Sequence, residues 1–153
     1  METENFTTKN EEETIDLGKS FAGKLDFGDT VAFFGDLGAG KTEFIKGICS
    51  HFKVDEIVTS PTFTIMNKYN GSVNEEEITI FHIDLYRIKK LEELEEIGFE
   101  DCIYSENAIK LIEWAEKANG HLENAKYSVT INFSEESETA RIIKIESGKL
   151  KSN

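Results

Sequence analysis

The sequence predicts a single α/β domain with a mixed, mainly parallel sheet, helices on both faces and antiparallel hairpin additions. Three observations favour this fold class. Apolar runs of strand length alternate with stretches of helical periodicity, a glycine-rich loop follows an early buried run, and later segments alternate in pairs typical of hairpins. The length of 153 residues suits one domain. We expect it to occupy residues 1–146, with residues 147–153 as a frayed tail.

The glycine-rich loop is the strongest functional signal. Residues 31–34, an apolar run typical of a buried strand, lead directly into GDLGAGKT at residues 35–42. This is the phosphate-binding-loop pattern, in which glycines let backbone N–H groups surround a polyphosphate. Lys41 is expected to reach the β- and γ-phosphates, and Thr42 to offer its hydroxyl to Mg²⁺.

The segment after the loop has the pattern of an amphipathic helix. Its apolar residues fall at i, i+1, i+4, i+5 and i+8 and are Phe44, Ile45, Ile48, Cys49 and Phe52. A glycine-rich turn with an incidental lysine would not require strand, loop and helix in this order. The sequence therefore predicts a single-domain P-loop NTPase.

Local patterns predict elements on either side of this loop. Thr8 and Glu11 have the spacing of a capping box and would open a helix in a region that ends at Gly28. Residues 56–59 are typical of a short strand, which runs into Ser60-Pro61-Thr62-Phe63 with the only proline of the chain. Either an ordinary turn or a segment that senses the γ-phosphate fits this stiffened bend.

Two hairpins and an acidic helix are predicted in the second half. Alternation around Ile65 and Tyr69 followed by the turn pair Asn70-Gly71 predicts the first hairpin. Residues 91–97 are typical of an acidic helix closed by Gly98. Alternating residues between 127 and 145 predict a closing hairpin.

Two predicted strands end in acidic residues. Residues 78–84 end at Asp84, as in a Walker B strand whose carboxylate reaches a Mg²⁺-bound water. The apolar residues 109–112 are followed by Glu113 and Trp114. Ligands collect at the carboxyl ends of parallel strands, so we expect a second acid near the loop. Trp114 would either pack at an edge or cover the nucleotide.

Composition limits the partners and the compartment. The formal net charge of −13 disfavours direct binding to nucleic acid, which depends on basic groups. The acidic clusters are most simply solvated faces, although the same field would steer the chain toward a basic protein surface. Two cysteines form no disulfide framework, and we expect a reducing cytoplasmic location. We find no apolar run of about 18 residues and no leader pattern, so membrane insertion and secretion are not expected.

Four motifs together resemble the bacterial TsaE family. They are GDLGAGKT at residues 35–42, SPTF at 60–63, HIDLYR at 82–87 and IEW at 112–114. The resemblance covers residues from about 11 to 145, and only the first motif is widely shared. It implies an ATPase needed for forming N6-threonylcarbamoyladenosine at position 37 of tRNAs that read codons beginning with A. It also implies binding to the TsaB and TsaD proteins, with tRNA contacted only through that complex and no role for a membrane.

The resemblance also assigns residues. Residues 38–43, which are Gly38, Ala39, Gly40, Lys41, Thr42 and Glu43, would hold the triphosphate of ATP. Thr42 and Glu113 resemble the Mg²⁺ ligands, Asp84 the Walker B acid, also near the metal, and Thr62 the switch threonine. Glu11 aligns with an N-terminal residue near the nucleotide. One departure is Ala115, where family members often have proline after Glu-Trp.

Two other functions use the same loop. A small-molecule or nucleotide kinase would also need Mg²⁺, but the chain has only Arg87 and Arg141 to stabilise a transferring phosphoryl group. A purely structural nucleotide-binding module would not need paired acids such as Asp84 and Glu113. Phosphate release with and without TsaB–TsaD separates the three functions.

Overall fold

A computed structural model describes residues 2–61, 65–118 and 120–148. In chain order the elements are β1 (Glu2–Thr8), α1 (Glu11–Ala22), β2 (Thr30–Gly35), α2 (Lys41–His51), β3 (Met66–Val73), β4 (Glu76–Asp84), α3 (Glu92–Glu96), α4 (Phe99–Ile103), β5 (Ala108–Glu113), β6 (Tyr127–Phe133) and β7 (Arg141–Ser147). A short 3-10 helix, Ala115–Ala118, follows β5.

The strands form one sheet in the order β1-β7-β6-β2-β5-β4-β3. The four central strands, β6, β2, β5 and β4, run parallel. Antiparallel pairing adds β7 and β1 at one side and β3 at the other. The predicted mainly parallel centre with hairpin additions is therefore confirmed. The loop-bearing strand β2 lies in the middle of the sheet, where both neighbours fix its end.

Apolar side chains cover both faces of this sheet. On one face α1 and α2 pack over a core that contains the predicted stripe of α2, including Phe44 and Ile48, which are fully buried. On the other face α3 and α4 contribute Leu94 and Phe99 to a second core. Helices on both faces were predicted, and this is confirmed. In the described part of the chain, no helix has both the length and the apolar character that a bilayer crossing requires.

The N-terminal elements differ from the prediction. Thr8 ends the unpredicted strand β1, which pairs with β7, and the capping box lies two residues later. There the Asn10 side chain accepts from the Glu13 amide at 2.9 Å, and Glu13 accepts from the Lys9 amide at 2.9 Å. Helix α1 ends at Ala22, before the predicted Gly28. Strand β1 has one half-buried and one buried residue among its seven, so alternation of apolar residues could not indicate it.

Two predictions in the middle of the chain were wrong. Residues 56–59 form no strand, because they are largely exposed and Ile57 is 86% accessible. Asn70-Gly71 lies inside β3, and the hairpin turns instead at Asn74 and Glu75, both with positive φ. Gly71 has another purpose. A Cβ there would lie 2.6 Å from the Phe52 carbonyl oxygen, so glycine lets β3 approach the end of α2.

The other second-half elements agree with the prediction. The acidic helix, the strand before Glu113 and the closing hairpin are all present. Ser147 pairs with Glu2 and Tyr127, so the sheet extends one residue beyond the expected domain boundary. Cys49 and Cys102 are buried and unpaired, and burial raises the pKa of their thiols to about 12 and about 11.

Two glycines bring α1 and α2 into direct backbone contact. A Cβ on Gly18 would overlap the Phe44 carbonyl oxygen, and one on Gly47 would overlap that of Ile15. The start of α1 is thereby held beside the first turn of α2.

We expect Gly47→Ala to lower the free energy of unfolding by about 1–3 kcal/mol, the usual cost of overpacking. Helix propensity alone would favour alanine by about 1 kcal/mol, so a loss identifies the helix contact as its cause. Thermal and urea denaturation measure the change. Gly23→Ala is the matched control, since its Cβ would meet only the Ser20 carbonyl oxygen at 3.4 Å. Equal stability of Gly47→Ala and wild type would contradict the prediction.

Candidate nucleotide-binding site

A cleft of about 460 Å³ opens at the carboxyl ends of β2, β4 and β5. It brings together every predicted site residue that the structure describes, namely Glu11, Gly38, Ala39, Gly40, Lys41, Thr42, Glu43, Asp84, Glu113 and Trp114. Thr62 lies outside the described residues. The cleft also includes Ser60 and Pro61 from the predicted bend.

The loop between β2 and α2 has the backbone that a phosphate cradle requires. Gly35, Gly38 and Gly40 have φ of 123°, 78° and 111°, a region that side chains disfavour. Gly40 is the N-cap of α2, and without a side chain it leaves the first amides of the helix to an external acceptor. The positive end of the helix dipole points the same way. The loop can therefore bind an anion through its backbone.

Lys41 is held at the floor of this loop. Its Nζ donates to the carbonyl oxygens of Gly35 and Asp36, both at 2.9 Å, and lies 4.3 Å from the centre of the Trp114 ring. The residue is 5% exposed, and burial lowers the pKa of its ammonium group. Among the residues that the structure describes, the acceptors at hydrogen-bonding distance from this buried cation are neutral carbonyl oxygens, which favours an anionic ligand.

Trp114 adopts a strained backbone beside the lysine. Its φ is 58°, a value that is uncommon for a bulky residue. Residues with such strained backbone cluster at functional sites. The strain turns the chain directly after Glu113, and the indole ring contacts Tyr86 at a centroid distance of 5.0 Å. Trp114 packs against the second core and also lines the cleft, so its position fits both predicted roles, packing at an edge and covering a nucleotide.

The two acids meet at the same edge of the sheet. Asp84 and Glu113 are register partners on β4 and β5. Both Glu113 oxygens lie 3.4 Å from the Thr42 hydroxyl, and Asp84 accepts from the Ser60 hydroxyl at 2.8 Å and the Tyr86 amide at 2.9 Å. These are hard oxygen donors, as Mg²⁺ prefers. In residues 2–61, 65–118 and 120–148 no cluster of three or more His, Cys, Asp or Glu forms a closed metal cage. The donors thus fit an ion whose coordination is completed by water and phosphate oxygens.

Helix α1 reaches the cleft through a pair of carboxyls. Burial, and next a hydrogen bond with Glu11, raise the pKa of the Glu43 carboxyl. Glu11 opens α1 and Glu43 lies in the first turn of α2, so the pair joins the two helix starts at the rim. Glu11 thus lines the cleft, and its predicted location near the nucleotide stays a prediction.

Sequence reasoning missed several contacts of the site. His82 Nε2 lies 2.6 Å from Glu113 Oε2, and Tyr69 approaches the other ring nitrogen at 3.3 Å. Arg141 of β7 donates from Nε to the Ala39 carbonyl oxygen of the loop at 2.8 Å. His82 lies in the HIDLYR motif, where its spacing of two from Asp84 placed both on one face. Nothing in the sequence indicated the Arg141 contact, which joins residues far apart in the chain.

The fold and this cleft define the chain as a P-loop protein, and the comparisons with known proteins specify which one. The family model described as "Threonylcarbamoyl adenosine biosynthesis protein TsaE" matches residues 8–143. The chain belongs to the TsaE family, whose members take part in tRNA threonylcarbamoyladenosine biosynthesis.

Individual relatives agree. The TsaE proteins of Treponema pallidum and Bacillus subtilis are each 34% identical, over 82% and 86% of this chain and 87% and 78% of their own. That of Rickettsia felis is 46% identical over 70% of this chain, which spans 60% of that relative. The crystal structure of Bacillus subtilis YdiB superposes with a TM-score of 0.74 and 29% identity, covering 95% of this chain and 86% of YdiB.

Proposed function

We propose that this chain is a Mg²⁺-dependent ATPase of the cytoplasm that binds the TsaB–TsaD complex. In this role it supports turnover of that complex as N6-threonylcarbamoyladenosine forms in tRNA. Family membership supports the pathway, and the resemblance of the four motifs supports the partners.

One observation carries the enzymatic part of the proposal. Lys41 and Thr42 begin α2 in a cleft that also receives Asp84 and Glu113 from two neighbouring parallel strands. A nucleotide-binding module without catalysis would need the loop but not two acids fixed beside its terminal hydroxyl.

The geometry suggests a separate role for each group of residues. The loop amides and Lys41 would bind the β- and γ-phosphates and stabilise the negative charge that develops as the terminal phosphoryl group leaves. Thr42 and Glu113 would hold Mg²⁺, which when bound neutralises phosphate charge. Asp84, kept in place by Ser60 and the Tyr86 amide, would accept a hydrogen bond from a water in the ion's coordination shell. The Trp114 ring would cover one side of the nucleotide.

The charge of −13 agrees with a role that reaches tRNA only through partners. Such a field would favour docking on a basic surface of another protein.

The positions of the two arginines bear on the alternative that the chain is a kinase. Both arginines, Arg87 and Arg141, line the cleft, which the sequence did not indicate. Arg141 donates from Nε to the loop carbonyl of Ala39 and from Nη1 to the carbonyls of Glu138 and Ala140, so it supports the loop. Two arginines are too few for an arginine-rich lid, and hydrolysis remains the favoured reaction.

We expect the isolated chain to hydrolyse ATP slowly and TsaB–TsaD to accelerate it. An arginine supplied by a partner raises the rate of phosphoryl transfer by about 10³–10⁵-fold where this has been measured. Phosphate release at increasing TsaB–TsaD tests this, with Lys41→Ala as the inactive control. Thr62→Ala is expected to leave ATP binding largely intact and to reduce the turnover that TsaB–TsaD stimulates. A chain already at its maximal rate alone, or one that phosphorylates an added small acceptor instead of water, would contradict the proposal.

A further inference from the structure

A buried series of hydrogen bonds leads from Glu113 to His82 and Tyr69, which do not line the cleft. Glu113 Oε2 lies 2.6 Å from His82 Nε2, and His82 Nδ1 lies 3.3 Å from the Tyr69 hydroxyl. The Tyr69 hydroxyl in turn lies 3.3 Å from the carbonyl oxygen of Thr59. His82 is fully buried, and Tyr69 and Glu113 are 3% exposed, so water competes little for these bonds.

Donor and acceptor chemistry gives this series of hydrogen bonds a direction. An ionised carboxylate only accepts, so Nε2 of His82 donates to Glu113. In the neutral imidazole Nδ1 is then an acceptor, and the single phenolic proton of Tyr69 satisfies it. Thr59 keeps a donor in this arrangement, because the Asn67 amide nitrogen lies 3.2 Å from its carbonyl oxygen. Asn67 also donates to the Tyr69 oxygen at 3.3 Å. Each polar group in this series of hydrogen bonds therefore has a partner.

The same backbone segment reaches the other acid as well. Ser60, next to Thr59, donates its hydroxyl proton to Asp84 at 2.8 Å. Asp84 and Glu113 are thus linked to adjacent residues of one segment, the first directly and the second through His82, Tyr69 and the Asn67 amide that donates to both the Tyr69 oxygen and the Thr59 carbonyl. Orientation of a metal-binding carboxylate commonly depends on such outer partners.

We propose that Tyr69 and His82 are positioning residues, which fix the Glu113 carboxylate toward Thr42 and make its orientation depend on the Thr59–Ser60 backbone. This inference rests on the proposed function in one respect, the role of Glu113 as a Mg²⁺ ligand. Neither residue touches the cleft, so their effect is on the binding of the ion and not on the binding of free nucleotide.

Trp114 provides a direct readout. It is the only tryptophan, it follows Glu113, and its ring lies over Lys41. We would titrate Mg²⁺ at saturating ATP on the full chain and record Trp114 fluorescence. Tyr69→Phe removes one oxygen, and we expect it to raise the half-maximal Mg²⁺ concentration by about 10-fold, within the 10–100-fold range of outer-partner mutations. ATP affinity without Mg²⁺ should change less than about twofold.

Rescue and control variants identify the cause. His82→Gln retains an amide donor toward Glu113, whereas His82→Leu has none. The half-maximal Mg²⁺ concentration of His82→Gln should therefore lie between those of wild type and His82→Leu. Tyr127→Phe is the matched control, a tyrosine 9% exposed on β6 of the same sheet, and should titrate like wild type. If His82→Leu does not fold, as circular dichroism would show, Tyr69→Phe still decides the question.

A double-mutant cycle with Glu113→Gln separates this inference from the proposed function. If Tyr69 acts through Glu113, Tyr69→Phe should add no further shift in the Glu113→Gln background. The positioning role of Tyr69 would be overturned if Tyr69→Phe had the wild-type half-maximal Mg²⁺ concentration, or if it raised that concentration as much in Glu113→Gln as in wild type. Either result leaves the role of Glu113 as a Mg²⁺ ligand intact. A wild-type half-maximal Mg²⁺ concentration for Glu113→Gln itself would overturn both roles.

Discussion

Replacing Lys41 by alanine is expected to lower the rate of ATP hydrolysis by about 10²–10³-fold, the usual cost of losing one preorganised group that stabilises transition-state charge. The side chain is buried beneath the loop and its Nζ is held by two carbonyl oxygens, ready to bind the terminal phosphates. Phosphate release and nucleotide affinity measure the loss. Lys19→Ala, at an exposed position of α1, is the matched control and should hydrolyse ATP at the wild-type rate.

Replacing Lys41 by an apolar residue of similar length should leave the fold intact or stabilise it. Burial lowers the pKa of Lys41 below 10.5, so the protonated amine opposes folding at neutral pH. This penalty is present below the folded-state pKa and disappears as pH rises from that value toward 10.5, because only the unfolded state then holds the proton. Lys41→Met should thus melt at or above the wild-type temperature at pH 7. Unchanged hydrolysis by a folded Lys41→Ala protein would contradict the P-loop assignment.

Replacing Glu113 by alanine is expected to raise the Mg²⁺ requirement for hydrolysis by at least about 100-fold. Losing a group that only orients a metal ligand costs up to about 100-fold, and Glu113 is itself the proposed ligand. Glu113→Ala also leaves His82 Nε2 buried without its acceptor, which costs about 1–3 kcal/mol of stability. Mg²⁺ titration of phosphate release and urea denaturation measure the two effects separately.

The neighbouring acid provides the control for Glu113. Glu116→Ala removes an exposed carboxylate three residues away and should leave the Mg²⁺ requirement unchanged. If Glu113→Ala had the wild-type requirement but lost stability, the carboxylate would be a partner of His82 only, with no role at the ion.

The parts of the site that could be predicted from sequence are those that local chemistry dictates. Glycine adopts the positive φ of Gly38 and Gly40 at little steric cost, and an acid at the end of a buried strand indicates a ligand site, so the sequence indicated that the loop, Asp84 and Glu113 lie at one edge of the sheet. The hairpin turn was misplaced because Gly71 serves the packing of β3 against Phe52, a contact that no local pattern indicates.

Contacts between distant segments could not be predicted. Strand β1 is largely exposed, and its position depends on pairing with β7 at the other end of the chain. Tyr69 and His82 are buried residues of neighbouring strands, where an ordinary core contact is the simplest interpretation of either. Only the register of β3 with β4 and of β4 with β5 brings them in line with Glu113.

The pairing of β1 with β7 also bears on how the protein matures during synthesis. Glu2 pairs with Ser147, so β1 has no partner until β7 has been synthesised, which is late relative to all the elements between them. Closing so long a loop makes this pairing slow compared with the local packing of α1 on α2. Arg141, the β7 residue that holds the Ala39 carbonyl oxygen, arrives at the same late stage. The nascent chain is therefore expected to assemble its helical face early and to gain a fully supported phosphate loop only after β7 has emerged.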